Sequence, residues 1–555
     1  MKKAYGLGLL VVCFLFTGAF AQQVETDIIQ LRLNRFYFAA GIESGVTAQS
    51  SFLVACETGD TVKGIIEYAG PGISYSRPIA EPIALASPTG CRAWLSTAAV
   101  DSAAVITLGT DLPRELFDPE HETLFIRTGD TVISHLVDSV HSVGNLTTFY
   151  LRTDVLFSDG SLFTAGKLLD FLRDLKGENR SYLTRYFFSK LQPFDSGGVQ
   201  LPDSETVMLQ FYHPFPRAAY FLSHPDFAVR DTAGRGTGPY VKIQNPEGGA
   251  DSCFFSPNPF YHGQAAAARL VIRYFDQQYR MKYAYENKQI DALVGFGFEA
   301  DMAGQYEAKA MFPYVAVLIS GIGGEAFSQG LFPTSLYYRF NPDLAHIYFQ
   351  FGDVVEVNRW ISRKGITPNQ RYYPFDFLSG RKLQEAIRTP VDTVRIMYDQ
   401  TLLYETARYM ADIAAREGTT ASLNRRPADY RYDIRLAFFP PSDEIMPFAL
   451  IAAVLELNDQ ALHLTSEYRL SRSGWEEIDW GSQLNEAVNR NRFFARAEEI
   501  IVEDAAFFPL FRPYIYAVSR SGVRGLGFDF YGFPRFDGLV KFAGTGTENT
   551  PEKKQ

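Results

Sequence analysis

FYLRTDVLFSDGSLFTAGKLLDFLRDL, residues 149–175, is the stretch on which the fold turns. Asp159-Gly160 marks a tight turn, because Gly accepts backbone angles that other residues avoid. Thr164 then caps a helix, with Phe163 placed to staple onto Leu168. Leu168, Leu169, Leu172 and Leu175 recur at helical spacing and mark one apolar face. Outward from there, strands and helices alternate from Val105 onward, the pattern of an α/β architecture. A second helix is expected over about 403–417, with Ala407, Met410 and Ala414 inward and Gly418 as its stop. A third runs over about 484–504 on Val488, Phe494, Ala497 and Ile501.

Residues 24–92 read differently. IIQLRL, YFAAGI, SFLVAC, VKGIIEY and SRPIAEPIAL are short β-rich runs, punctuated by ESG, ETGD, AGPG and SPTG. Five short strands without a helical period predict a small β-barrel or sandwich. Before them, Lys2-Lys3, an apolar core from Leu7 to Phe16 and Ala19-Phe20-Ala21 form a secretory signal with cleavage before Gln22. Losing this leader takes the formal charge from −10 to −12. That balance argues against a nucleic-acid partner. Three cysteines remain after cleavage, Cys56, Cys91 and Cys253, so at most one bridge forms. A Cys56–Cys91 bridge and three buried thiols are both open. Mean hydropathy is −0.10, and no apolar run long enough to span a membrane follows the leader. The 46 Phe and 31 Tyr suit either a large core or an aromatic cleft.

Four ordered segments resemble the extracellular solute-binding proteins of ABC importers, the peptide/nickel-binding family 5. Residues 149–175 resemble its strand, turn and "TA" helix. GTGPYVKI (236–243), followed by SPNPFYHG (256–263), is similar to its GTGPY and RNP-x-YWG pair. LVIRYFDQQYRMKYAYENKQIDALVG (270–295) resembles its strand, helix and closing strand, and RAEEIIVEDAAFFPLFRPYIYAVSRSGVRGLGF (496–528) its closing helix, strand and turn. YYRFNPD (337–343) and YDIRLAFF (432–439) add weaker echoes, and the resemblance runs from about 105 to 542. It implies a two-lobed periplasmic-binding-protein fold of type II, with lobe one at 95–275 plus 506–545 and lobe two at 276–505. The small β domain (22–92) and a disordered tail (546–555) flank it. In GTGPY, Gly236 and Gly238 allow positive φ and close backbone approach.

The departures are equally specific. Gly166 and Lys167 stand where the family usually places acids in the first helical turn. The family's acidic residue for a peptide's α-ammonium aligns with Pro441, leaving Asp443 and Glu444 as substitutes. Should the pocket be apolar instead, Tyr338, Phe438 and Phe439 are its expected lining. FDSGGV (194–199) echoes a serine-protease loop without its histidine segment and reads as a turn. GIGGEA (321–326) lacks the helix that a dinucleotide site needs. Adjacent acids such as Glu498-Glu499 read as a solvated helix face.

The expectation is therefore an exported, monomeric, non-enzymatic protein of the periplasm or envelope, without cofactor or metal. It would bind a peptide or similar amphipathic solute between its lobes and deliver it to an ABC permease in the inner membrane. The alternative is a degenerate solute-binding fold repurposed as an envelope interaction or sensory module. A secreted hydrolase is disfavoured for want of a nucleophile with partners.

Overall fold

A computed structural model describes seven strands between residues 22 and 97 and most of 104–541. Within 104–541 the description omits 179–180, 245–250, 264–267, 297–305, 322–330, 342–343, 345–353, 357–375, 388–390, 426–431, 443–445, 464–469, 485–486, 504–506 and 521–522. The proposed leader, the 546–555 tail and most of the runs SRPIAEPIAL and GIGGEA lie outside the described residues. Chain contacts define two units. One comprises residues 1–104, 520–525 and 540–555, and the other residues 105–519 and 526–539.

The smaller unit is an antiparallel seven-stranded sheet. It holds Gln22–Thr26, Ile28–Arg32, Arg35–Phe38, Ser51–Cys56, Thr61–Gly70, Ile73–Ser76 and Cys91–Thr97. Its edge strands, Gln22–Thr26 and Ile28–Arg32, are consecutive in the chain. Phe36, Phe38 and Phe52 meet in its core with centroids 5.1–6.0 Å apart, beside buried Val54, Ile66 and Ala93. Alternation explains that core: inward residues on a strand recur at every second position. The strand Cys91–Thr97 is one that the β-rich runs did not mark. It pairs with Ser51–Cys56 so that Cys56 and Cys91 are direct register partners.

The larger unit is mixed α/β. Val105–Thr110 lies parallel to Arg269–Tyr274 on one side and Ala292–Phe296 on the other. Parallel strands need a crossover, which the helix Gln278–Glu286 supplies. That helix buries Met281, Ala284 and Tyr285 against Ile290, Leu293 and Val518. A second crossover repeats the logic: Thr393–Tyr398 is parallel to Thr420–Arg425 and to Ile434–Phe439. The helix Tyr404–Ala415 bridges it, burying Ala407, Met410, Ile413 and Ala414, and Gly418 at φ 81° follows its end.

One strand, Phe507–Ser519, joins the two sets. Its second half pairs with Ala292–Phe296 and its first half with Val315–Ser320. It is buried along nearly its whole length, which is why FFPLFRPYIYAVS shows no polar alternation. The segment Val137–Gln210 adds a four-stranded antiparallel sheet and the helices Ala165–Glu178 and Tyr182–Lys190. On the first helix Leu168, Phe171, Leu172 and Leu175 are buried, and Leu169 is half-buried. Much of the phenylalanine content goes into core here. Phe187 lies 5.2–6.1 Å from Phe188, Phe211, Phe215, Phe221 and Phe227, and such pairs contribute about 0.5–1.5 kcal/mol each beyond area burial. Glu498 departs from expectation: it is 3% exposed, not on a solvated face.

The paired motifs GTGPY and SPNPFYHG have a shared physical cause. A Cβ at Gly236 would stand 1.9 Å from the Glu120 carbonyl oxygen, and one at Gly238 2.7 Å from it. Gly238 N–H donates to that carbonyl at 2.8 Å. Neither glycine adopts positive φ; close approach alone excludes a side chain. Asn258 then donates from Nδ2 to the Gly238 carbonyl at 2.8 Å and from its own N–H to Pro239 at 2.9 Å. Residues 118–122, 236–240 and 256–262 are thereby locked together.

Candidate functional site

Beside this lock lies a cavity of about 290 Å³ in the larger unit. Its walls come from residues 115–127, His135, 223–228, Pro239, Tyr314 and 529–537. Tyr314 sits between the strands Tyr306–Met311 and Val315–Ser320, so chain assigned from sequence to lobe two closes a cavity otherwise built from lobe one.

The charges are placed by local structure. Arg127, on the strand Phe125–Thr128, is only 4% exposed. Its guanidinium lies 4.3 Å from the Phe530 centroid, 5.4 Å from Tyr220 and 5.8 Å from Tyr531. Aromatic faces stabilise a cation that has left water, and Nε also donates to the Gly129 carbonyl at 3.1 Å. Asp226 sits in the turn Pro225–Phe227, and its backbone N–H donates to Nδ1 of His224 at 3.2 Å. Burial holds the His224 pKa below its usual value, with Arg127 adding to that and Asp226 opposing it. The imidazole beside Asp226 is thus neutral, accepting at Nδ1.

Six carboxylates and two arginines line the cavity. Asp537 pairs with Arg535, whose Nε donates to Oδ1 at 3.1 Å. Asp118 meets His121 Nδ1 at 2.7 Å, while His121 Nε2 donates to the Gly234 carbonyl at 3.0 Å. Burial alone would lower the His121 pKa, but the Asp118 bond and charge outweigh it and raise it. Asp529 accepts from the N–H groups of Gly532 and Phe533 at 2.8 Å each, yet burial pushes it up to about 6. Glu115, Asp226 and Arg127 also place charges of both signs on the walls.

Glu122 belongs to a tighter group. Its Oε1 accepts from His135 Nε2 at 2.9 Å and Tyr261 OH at 3.0 Å, and its Oε2 from Thr237 Oγ1 at 3.1 Å. His262 Nδ1 stands 3.7 Å from Oε2. The ligand-type atoms of Glu122, His135 and His262 all lie within 4.8 Å of one another. Burial would raise the Glu122 pKa, but the two histidines bring it below its usual value.

The residues expected from sequence lie elsewhere. Phe438 is half-buried and packs on Phe312 at 5.2 Å, which reaches Tyr314 at 5.8 Å. Phe439, its strand neighbour, points to the other face, where it meets Tyr182 at 5.5 Å and Phe507 at 6.1 Å. Tyr338, on the helix Leu331–Arg339, neighbours Tyr337, which stacks on Phe508 at 4.8 Å. Asp443 and Glu444 lie outside the described residues. None of the three described residues, Tyr338, Phe438 and Phe439, lines the cavity. Sequence reading missed Arg127, Asp226, Tyr314 and Phe530; the density of aromatic and acidic residues in DFYGFPRFD (529–537) was the one available signal.

Residues 131–350 match the model of the bacterial extracellular solute-binding proteins, family 5 Middle. No curated protein matches the sequence. Among solved structures, DppA of Helicobacter pylori in complex with the peptide STSA is 16% identical, with a TM-score of 0.63 over 79% of this chain and 98% of that one. The murein tripeptide binding protein MppA of Escherichia coli is 14% identical, at 0.63 over 80% and 100%. NikZ of Campylobacter jejuni, solved with Ni(L-His), is 14% identical, at 0.59 over 80% and 100%. The chain thus resembles the family 5 solute-binding proteins and carries their two-lobed α/β fold. Among the described residues, no helix is long and apolar enough to cross a membrane.

Proposed function

We propose that this protein is the exported solute-binding component of an ABC importer and that it encloses a peptide or similar zwitterionic, amphipathic solute. The observation that carries the reading is the cavity itself, in which a caged Arg127 and an Asp226 beside a neutral histidine offer opposite charges within aromatic walls. Fixed polar groups set among aromatic side chains are what orients a ligand in a pocket, and here several of the wall's charged groups are already engaged with one another. Asp226 suits an ammonium and Arg127 a carboxylate. The role is binding and delivery rather than catalysis. The family match and the peptide-bound or metal-chelate-bound relatives support it.

Contacts across the expected lobes suit a closing binder. Tyr186 donates to Asp479 at 3.1 Å, Lys190 reaches Asp479 at 2.5 Å, and Arg217 donates to the Leu484 carbonyl at 3.1 Å. A ligand that touches both sides selects the closed state.

The test is calorimetric titration of the mature protein with a panel of di- to pentapeptides, each with a free or an acetylated amine. Binding that weakens when the amine is blocked supports the reading. Binding of a sugar instead would change the solute class, and no binding across such panels favours the repurposed envelope module.

A further inference from the structure

We infer that Glu122, His135 and His262 form a binding site for a divalent transition-metal ion of the zinc class. The inference is independent of the proposed solute. It begins with an unsatisfied buried atom. His262 is 4% exposed at its side chain, and its Nδ1 is buried without a hydrogen-bond partner. The polar atom it faces is Glu122 Oε2 at 3.7 Å, too far for a hydrogen bond. A buried ring nitrogen with no hydrogen bond, facing a carboxylate oxygen just beyond hydrogen-bond reach, is a pair of ligand-type atoms that a cation between them would satisfy.

The dimensions suit such an ion. Zinc holds nitrogen and carboxylate oxygen at about 2.0–2.2 Å, so tetrahedral ligands lie about 3.3–3.5 Å apart. The 2.9 Å separation of Glu122 Oε1 from His135 Nε2 and the 3.7 Å separation of Oε2 from His262 Nδ1 bracket that span. Two imidazoles and one carboxylate are a borderline-soft set that favours zinc, nickel or copper over calcium and magnesium, which take oxygen ligands. His135 would exchange its Nε2 hydrogen bond to Glu122 for the metal, with its proton on Nδ1, and His262 would bind through Nδ1 with its proton on Nε2.

The surroundings are built for it. Tyr261 and Thr237 each donate a hydroxyl to the Glu122 carboxylate, the kind of outer bond that orients a metal-binding carboxylate. The backbone is held at Glu122 and His135 and next to His262: Val229 N–H donates to the Glu122 carbonyl at 2.7 Å, His135 N–H to the Leu124 carbonyl at 3.1 Å, and Tyr261 N–H to the Asn258 carbonyl at 3.3 Å. Glu122 and His135 line the cavity, so the site borders it.

The experiment is titration of EDTA-treated, dialysed mature protein with zinc chloride, read by calorimetry and by the zinc-dependent rise in melting temperature. One equivalent should bind. His262→Gln and His135→Gln should each weaken it by roughly 100-fold or more, beyond the 10–100-fold typical of losing an outer partner. His141→Gln, on the exposed strand Val137–Val143, should leave it unchanged. Cobalt(II) added to the wild-type protein should give the intense visible d–d bands of a four- or five-coordinate nitrogen/oxygen site, a readout that needs no variant. Zinc affinity equal in the wild type and both histidine variants, or a cobalt spectrum matching the hydrated ion, would overturn the inference and leave Glu122 as a hydrogen-bonding hub only.

Discussion

Two side chains carry the sharpest consequences. Asp226 faces a neutral imidazole, so a solute ammonium would be its charge partner. A charge-assisted bond contributes roughly 1.5–3 kcal/mol. Asp226→Asn keeps the shape and should weaken an amine-bearing peptide about ten-fold or more by that magnitude, while an amine-acetylated peptide should be unaffected by the change. Equal affinity of wild type and variant for the free amine, measured by calorimetry, would remove Asp226 from the site. His121 gives a pH signature. Asp118 and the Gly234 carbonyl favour its protonated form against the opposing effect of burial. A histidine whose folded pKa is raised contributes stability fully below its unfolded value, about 6.5, and loses it as pH rises through the folded value. Urea unfolding of the wild type should therefore show a fall in stability as pH rises above about 6.5 that is shallower in His121→Gln. Parallel profiles would contradict the assignment.

Elements divide into those that local pattern reveals and those that it cannot. The helix after Thr164 was legible because its apolar spacing and its turn are local, and the strand–helix–strand of 269–296 was legible through its resemblance to the family's segment. The Gly-rich motif was legible as a crossing point; of the two reasons expected, close backbone approach holds and positive φ does not. Gly236→Ala would drive a Cβ into the Glu120 carbonyl and should cost about 1–3 kcal/mol, as overpacking does. An unchanged denaturant midpoint would show that this crossing is looser than drawn. The candidate site was barely legible, because its walls come from residues 115–127, 226, 314 and 529–537, and no short window of sequence holds them together. The Glu122 group has the same cause, its members being distant in the chain. In the smaller unit, Cys56 and Cys91 are paired in register. Antiparallel partners have Cα atoms about 4.5–5.5 Å apart, within disulfide reach. Thiol titration of the unfolded, unreduced mature protein should therefore find one free cysteine, Cys253, and finding three would exclude the bridge.

At the scale of the molecule, the strand Phe507–Ser519 is the piece shared by both halves of the large sheet, and Tyr314 is the contribution of the second half to a cavity otherwise built by the first. That arrangement implies a protein made to enclose something. The direct test is mass spectrometry of small molecules released on denaturing protein purified from its native envelope under gentle conditions. Close to one equivalent of a peptide, or of another solute bearing both an amine and a carboxylate, is the predicted result. Protein that releases nothing, and whose melting temperature no peptide of the panel raises, would contradict the account.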